Sequence, residues 1–261
     1  MKTAYSIARR KLARAILIGL FAVSCPIVFA QSAGVPSYCG SQYSTNATSL
    51  DSAAEHPVSV SSPDKQKIVI ARTIYGTSDE GHVRYSVRVA RKTFRAKLPG
   101  FNGEVTWSPD SKAFAVSETE GGGGIGARVY VFFVDADGLH KIDVSEPIEK
   151  DFGYPVRCDV KIPPNTGVVS WGLDSSTLYV AAQVIPVSLC KCMGTFRVYE
   201  INLPSLAIVR GYSQKQSKER FKALLGCDLR DANDACVDEF EKHFRKADAI
   251  SPSSREEGTV R

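Results

Sequence analysis

The chain has 261 residues with 33 basic and 28 acidic side chains, a formal net charge of +5. Five of the basic residues and none of the acidic ones fall within the first 30 positions, so the remainder holds 28 of each sign. That balance removes the global electrostatic case for a nucleic-acid or anionic-membrane partner.

At the start of the chain, Lys2, Arg9, Arg10, Lys11 and Arg14 precede an apolar stretch from Ala15 to Ala30, which closes on Val28-Phe29-Ala30 before Gln31. These three parts predict a cleaved signal peptide over residues 1–30, cut after Ala30, and hence a periplasmic or secreted protein. The sixteen residues from Ala15 to Ala30, interrupted by Ser24 and Pro26, fall short of the span a bilayer requires, so no transmembrane segment is expected. Ala22-Val23-Ser24-Cys25 resembles a lipobox, but with Ala where Leu is usual and Pro26 after the cysteine; lipid anchoring at Cys25 is the less favoured reading. Residues 31–57 form an N-terminal arm.

From residue 58 one pattern is written three times. Ser61-Ser62-Pro63-Asp64 precedes Ile68-Val69-Ile70-Ala71, Trp107-Ser108-Pro109-Asp110 precedes Phe114-Ala115-Val116-Ser117, and Trp171-Gly172-Leu173-Asp174 precedes Leu178-Tyr179-Val180-Ala181. Apolar residues match at Ile68, Phe114 and Leu178 and again two positions later, which is strand spacing. Pro63 and Pro109 pre-set φ, while Asp64, Asp110 and Asp174 can accept from the backbone just downstream, so each copy predicts strand, tight turn, strand. About twenty residues after each aspartate comes a β-prone run: Val83 to Val89, Val129 to Val134, and Phe196 to Ile201. The first alternates apolar and polar residues and reads as half-buried, whereas the second is apolar throughout and should be covered on both faces. A fourth short strand follows at Phe94 to Leu98, Leu139 to Val144, and Leu206 to Val209. The units run over residues 58–100, 101–146 and 165–212, and predict an all-β body of about three four-stranded sheets.

The string Trp107 to Val116 with Tyr130 to Gly138 resembles the WD40-like repeat of TolB-type β-propellers. The first copy departs at Ser61, where that pattern has Trp, and the third replaces Ser-Pro with Gly172-Leu173. The resemblance implies a small or incomplete propeller whose blades serve as binding platforms or as substrate gates on hydrolases. Trp107, Trp171, Asp64, Asp110 and Asp174 read as residues that pack blades and close turns. Closed propellers use 4 to 8 blades, and three would leave open edges. A degenerate fourth blade in residues 31–57 and 147–164, an open assembly, or a homodimer completing the ring would each resolve this; a small or incomplete propeller is favoured.

Beyond the leader, six cysteines remain: Cys39, Cys158, Cys190, Cys192, Cys227 and Cys236. An even number in an exported chain predicts disulfides, and Cys227 with Cys236 is the expected local pair because a loop of about ten residues separates them. Cys190-Lys191-Cys192 lacks the partners of a zinc or redox motif, so no metal is assigned. Residues 213–250 turn helical, with helices expected over Ser217 to Leu225 and Asn233 to Ala247, the second capped by Asn233 or Asp234 and showing Cys236, Phe240 and Phe244 on one face. This appendage is expected to pack on its own chain. Residues 251–261 read as a disordered tail.

No catalytic constellation emerges. His56, His82, His140 and His243 stand far apart. Gly121 to Gly126 satisfies a dinucleotide string formally but opens no helix, so no cofactor is assigned. Ser170 is one residue off nucleophile-elbow spacing and no helix follows it. Asp135 and Asp137 lack the later ligands of a calcium loop. The basic run Arg84, Arg88, Arg91, Lys92, Arg95 and Lys97 reads as a solvated face. The expected function is a non-catalytic exported binding or scaffold protein presenting blade loops to an envelope protein. The alternative is a hydrolase or enzyme accessory for a small molecule or glycan, using acids such as Asp151, Asp159 or Glu118 to Glu120.

Overall fold

The strand alternation is realised as three antiparallel sheets, which do not close into a ring. The computed structural model of the protein describes residues 41–50, 56–74, 82–99, 102–119, 126–153, 162–186 and 190–250. The predicted signal peptide, Cys25, Cys39, Cys158, Asp159, Glu120, Gly121 to Gly124 and the C-terminal tail lie outside them.

The arm supplies β1 (Thr48–Leu50). The first sheet follows as β2 (Val58–Ser61), β3 (Lys67–Ile74), β4 (His82–Val89) and β5 (Lys92–Pro99), paired in chain order. The second holds β6 (Asn102–Trp107), β7 (Ala113–Thr119), β8 (Arg128–Val134) and β9 (Leu139–Asp143), with β1 added at its edge beside β6. After α1 (Ser145–Phe152) come β10 (Asn165–Trp171), β11 (Thr177–Gln183), β12 (Phe196–Asn202) and β13 (Ala207–Tyr212) of the third sheet. Three helices end the described chain: α2 (Gln214–Arg220), α3 (Cys227–Arg230) and α4 (Val237–Ile250).

Of the residues that one alternative gave to a degenerate fourth blade, 31–57 and 147–164, the described ones hold an edge strand, Thr48–Leu50, and most of a helix, Ser145–Phe152. The helix has Pro147 in its first turn, where a missing N–H costs nothing, and an exposed Glu146–Lys150 pair one turn apart. Asp234 does not cap α4. Its carboxylate accepts from Lys218 Nζ at 2.9 Å and Gln214 Nε2 at 2.7 Å, tying the linker back to α2. Helix α2 begins three residues earlier than expected, because Ser213 and Gln216 form a reciprocal capping box at its N-terminus.

Alternation assigns each sheet's faces. Val69, Ala71, Val83, Tyr85, Val87 and Leu98 of the first sheet pack on Val105, Phe114, Val116 and Phe132 of the second. The intervening residues of the second sheet, Ala113, Ala115, Val129 and Val131, face Val168, Leu178, Val180, Tyr199 and Ile201 of the third. Helices α1 and α4 extend this seam with Ile148, Phe152, Phe240 and Phe244. The far side of the third sheet, with Val169, Ala181, Phe196 and Val198, is covered by Tyr43, Phe221, Leu225 and Leu229. The second and third sheets are thus buried on both faces. The first is buried on one.

The cover over the third sheet is fastened by close backbone approach. A Cβ at Gly167 would fall 2.0 Å from the Tyr43 ring, and one at Gly226 would fall 2.3 Å from the Gln42 carbonyl oxygen. Glu104 of β6, nearly inaccessible to solvent, accepts from the backbone N–H groups of Gln42 and Tyr43. Burial nevertheless pushes its carboxyl up to about 7.

The disulfide pattern departs from the local expectation: Cys236 is bonded to Cys192, not to Cys227. Cys190 and Cys227 are also disulfide-bonded. The short loop misleads because its two ends belong to different layers. Leu229 of α3 packs in the cover over the third sheet, while Phe240 and Phe244 of α4 pack at the seam between the second and third sheets, where Cys190 is also buried.

Candidate functional site

The repeat signatures build turns that are clasped from sheet to sheet. In the first, the Asp64 carboxylate accepts from the Ser62 hydroxyl at 2.5 Å and from Gln66 N–H at 2.9 Å. These bonds, led by Ser62, hold its carboxyl down at about 2. In the second, Ser108 Oγ donates to Asp110 at 2.7 Å and Lys112 N–H donates to the same oxygen. In the third, Asp174 accepts from the N–H groups of Ser176 and Thr177, both at 3.1 Å. Pro63 and Pro109 occupy the turns ahead of Asp64 and Asp110. One residue past each aspartate the backbone is left-handed: φ is 60° at Lys65, 62° at Ser111 and 59° at Ser175.

That left-handed residue reaches the preceding sheet. Asp64 N–H donates to Ser111 Oγ and Asp110 N–H donates to Ser175 Oγ, each at 3.0 Å. The tryptophans run the same way: Trp107 Nε1 donates to Val60 O, and Trp171 Nε1 to Thr106 Oγ1, each at 3.1 Å. Each sheet therefore clasps the one before it. Among the described residues no sheet precedes the first, which carries Ser61 and Lys65 where the others carry Trp and Ser.

Where the second sheet, the third sheet and the cover meet, a cleft of about 520 Å³ opens. Trp107 and Pro109 line it from one sheet, Trp171, Leu173 and Tyr179 from the other, and Phe221 from the segment after α2. The Tyr179 and Phe221 rings lie 5.0 Å apart. Leu173, at the position where the second repeat has Pro109, is 98% exposed at the rim. Ser44, Asn46, Thr106 and Ser170 add polar groups. Among the described residues no acid, histidine, cysteine or lysine lines this cleft. Its chemistry is apolar contact, ring stacking and hydroxyl hydrogen bonding.

The other sequence candidates do not converge on it. Ser170 Oγ donates to the carbonyl of its neighbour Trp171 at 3.0 Å. Glu118 is buried within β7, and Asp151 is exposed on α1. Asp135 accepts from the N–H groups of Asp137 and Gly138, both at 2.8 Å, which commits it to its own turn, and its other oxygen lies 3.0 Å from His140 Nε2. Cys192, Cys236 and Glu239 stand close enough to suggest a metal cluster, but the two sulfurs are bonded to each other and offer no thiolate.

A second, polar cleft of about 420 Å³ lies between α4 and the third sheet. Its wall is the buried pair of Arg197 and Glu241 at 2.7 Å, with the guanidinium 3.9 Å from the centre of the Phe244 ring. Glu241 is buried here, although it stands outside the Cys236, Phe240 and Phe244 face that helical spacing picks out. A cation on β12 draws it in.

No family model matches the chain, and no curated protein matches it. Among solved structures it is similar to the acylaminoacyl peptidase of Pyrococcus horikoshii, at 13% identity over 56% of this chain and 22% of that one, with a TM-score of 0.34. It is similar also to the β-propeller domain of the Trilobed protease from Pyrococcus furiosus, described as having an open velcro topology. There the identity is 11% over 61% of this chain and 44% of that one, with a TM-score of 0.36. The chain spans less than half the length of either, and likeness at this level carries no argument about activity.

Proposed function

We propose that the protein is an exported, non-catalytic binding or scaffold protein of the cell envelope, which presents the seam between its second and third sheets to a protein partner. The observation that carries this reading is the cleft itself: Trp107, Trp171, Tyr179 and Phe221 line it, Leu173 stands free at its rim, and its described lining holds no acid–base pair. Aromatic anchors beside an exposed aliphatic residue are the ingredients of a binding hot spot. Export is supported by the tripartite leader and by cysteines held as disulfides, which persist in oxidising compartments. Among the described residues no helix is long and apolar enough to cross a membrane. The likeness of the repeats to TolB-type blades fits the same role.

A photo-crosslinking side chain placed at Leu173 in producing cells tests the reading. A discrete adduct is expected from Leu173 and none from Val209, an exposed residue on β13 that lies outside the cleft. Equal labelling at both positions would refute it. The volume of the cleft also suits a small molecule or glycan, as in an enzyme accessory. Saturable quenching of Trp107 and Trp171 fluorescence by a soluble sugar, with no protein adduct at Leu173, would favour that second reading.

A further inference from the structure

The outer face of the first sheet carries five cations and, among the described residues, no carboxylate. Pairing fixes their places. Arg72 lies directly opposite Arg84, and Arg84 directly opposite Lys97, making a row of three across β3, β4 and β5. Arg88 stands opposite Thr93, and Arg95 opposite Ser86. All five cations are exposed, because the alternate residues Val69, Ala71, Val83, Tyr85 and Val87 take the buried face. None of the five forms an ion pair with a described residue.

A face that served only for solvation would gain from mixed signs. Like charges directly opposite one another, about 5 Å apart across the strands, destabilise a sheet. The far side of the third sheet makes the contrast, since α2, α3 and the arm cover it, whereas no described residue outside the first sheet covers this face. No further sheet is equipped to dock here, because Ser61 and Lys65 replace the Trp and Ser that make the clasps.

The geometry points to this face as an electrostatic docking surface for a bilayer displaying anionic phosphate headgroups. The cations project from one side of a three-stranded surface with no groove, and Arg84 and Arg88 are spaced about 13 Å apart along β4. Such an array meets a plane of charges all at once, whereas a single extended polyanion would follow only one row. Ile68 and Ile70, half-buried on the same face, add apolar surface between the cations. The overall charge balance hides this patch because it sums over the whole chain, while the described acids lie off this face.

Co-sedimentation with vesicles tests the assignment. The full chain is expected to bind vesicles of phosphatidylcholine containing phosphatidylglycerol, with affinity falling steeply as salt rises. Replacing Arg84 and Lys97 together by serine should weaken binding roughly thirtyfold, about fivefold for each cation. Lys112→Ser, which removes an exposed cation from a turn of the second sheet, should leave binding unchanged. Residues 1–30 are common to all three proteins, so any attraction they exert cancels in the comparison. The double variant should melt no lower than its parent, since it relieves opposed like charges. Equal binding to pure phosphatidylcholine, or undiminished binding by the double variant, would overturn the assignment. So would a preference for a soluble oligonucleotide at the same phosphate concentration. Self-association of the double variant with its vesicle binding intact would assign the cations to keeping copies apart instead. Leu173 takes no part in the experiment, so its outcome is independent of the partner reading for the cleft.

Discussion

The first and third sheets are written in the same strand-turn-strand pattern, yet they end the stack in opposite ways. The third buries its outer face under Tyr43, Phe221, Leu225 and Leu229, while the first offers arginines and a lysine to solvent. The difference follows from the direction of the clasps. Each Trp and each left-handed Ser reaches back to the sheet before it, so the first sheet has no use for either and the third must be finished by something other than a sheet. A repeat signature in this chain therefore reports a neighbour as much as a local turn.

That asymmetry can be broken at three strengths. Trp171→Ala removes a side chain buried at the seam along with its bond to Thr106, and should cost about 3 to 5 kcal/mol by chemical denaturation. Ser61→Trp, which restores the missing signature residue where no described sheet lies next to it, should change stability by less than about 0.5 kcal/mol. An equal gain and loss at these two positions would contradict the directional reading.

Next comes Glu104, which ties the arm to the second sheet. Its carboxyl is held at about 7 when folded against 4.5 ordinarily, so between those values the folded state binds the extra proton. Its contribution is therefore fully present below pH 4.5, falls as pH rises to about 7, and is level above that. The span corresponds to roughly 3 kcal/mol. Glu104→Gln should flatten this part of the pH profile of melting temperature. A variant profile parallel to the parent's would show that the arm is not docked through this carboxylate.

Smaller losses belong to the serine clasps. Ser111→Ala and Ser175→Ala should each cost about 1 kcal/mol, whereas Lys65→Ser should gain nothing, because no preceding sheet supplies an N–H to it.

The sheets were legible because strand alternation is a local signal. Val83 to Val89 and Val129 to Val134 reveal their period and their one-sided or two-sided burial from composition alone. The cleft was not legible. Trp107 and Trp171 are 64 positions apart and meet only once two sheets stack, so the sequence shows them as blade residues without showing the space they line. The Cys192–Cys236 bond was hidden for a related reason: loop length favours Cys227, but α3 and α4 pack on different layers. The buried Glu241 was likewise invisible to helical spacing, since its partner Arg197 comes from a strand. The helix Ser145–Phe152 did leave a signal, in Pro147 and the Glu146–Lys150 spacing, but eight residues are too few for periodicity to stand out.

The molar mass of the mature, oxidised protein in solution, measured by light scattering across a wide concentration range, tests most directly whether this stack terminates itself. Sheets that clasp only backward, with one end covered by helices and the other cationic, predict the mass of a single chain throughout. An obligate dimer that Arg84→Glu on the outer face of the first sheet dissociates would contradict the account, because that face would then be an interface that a second copy covers.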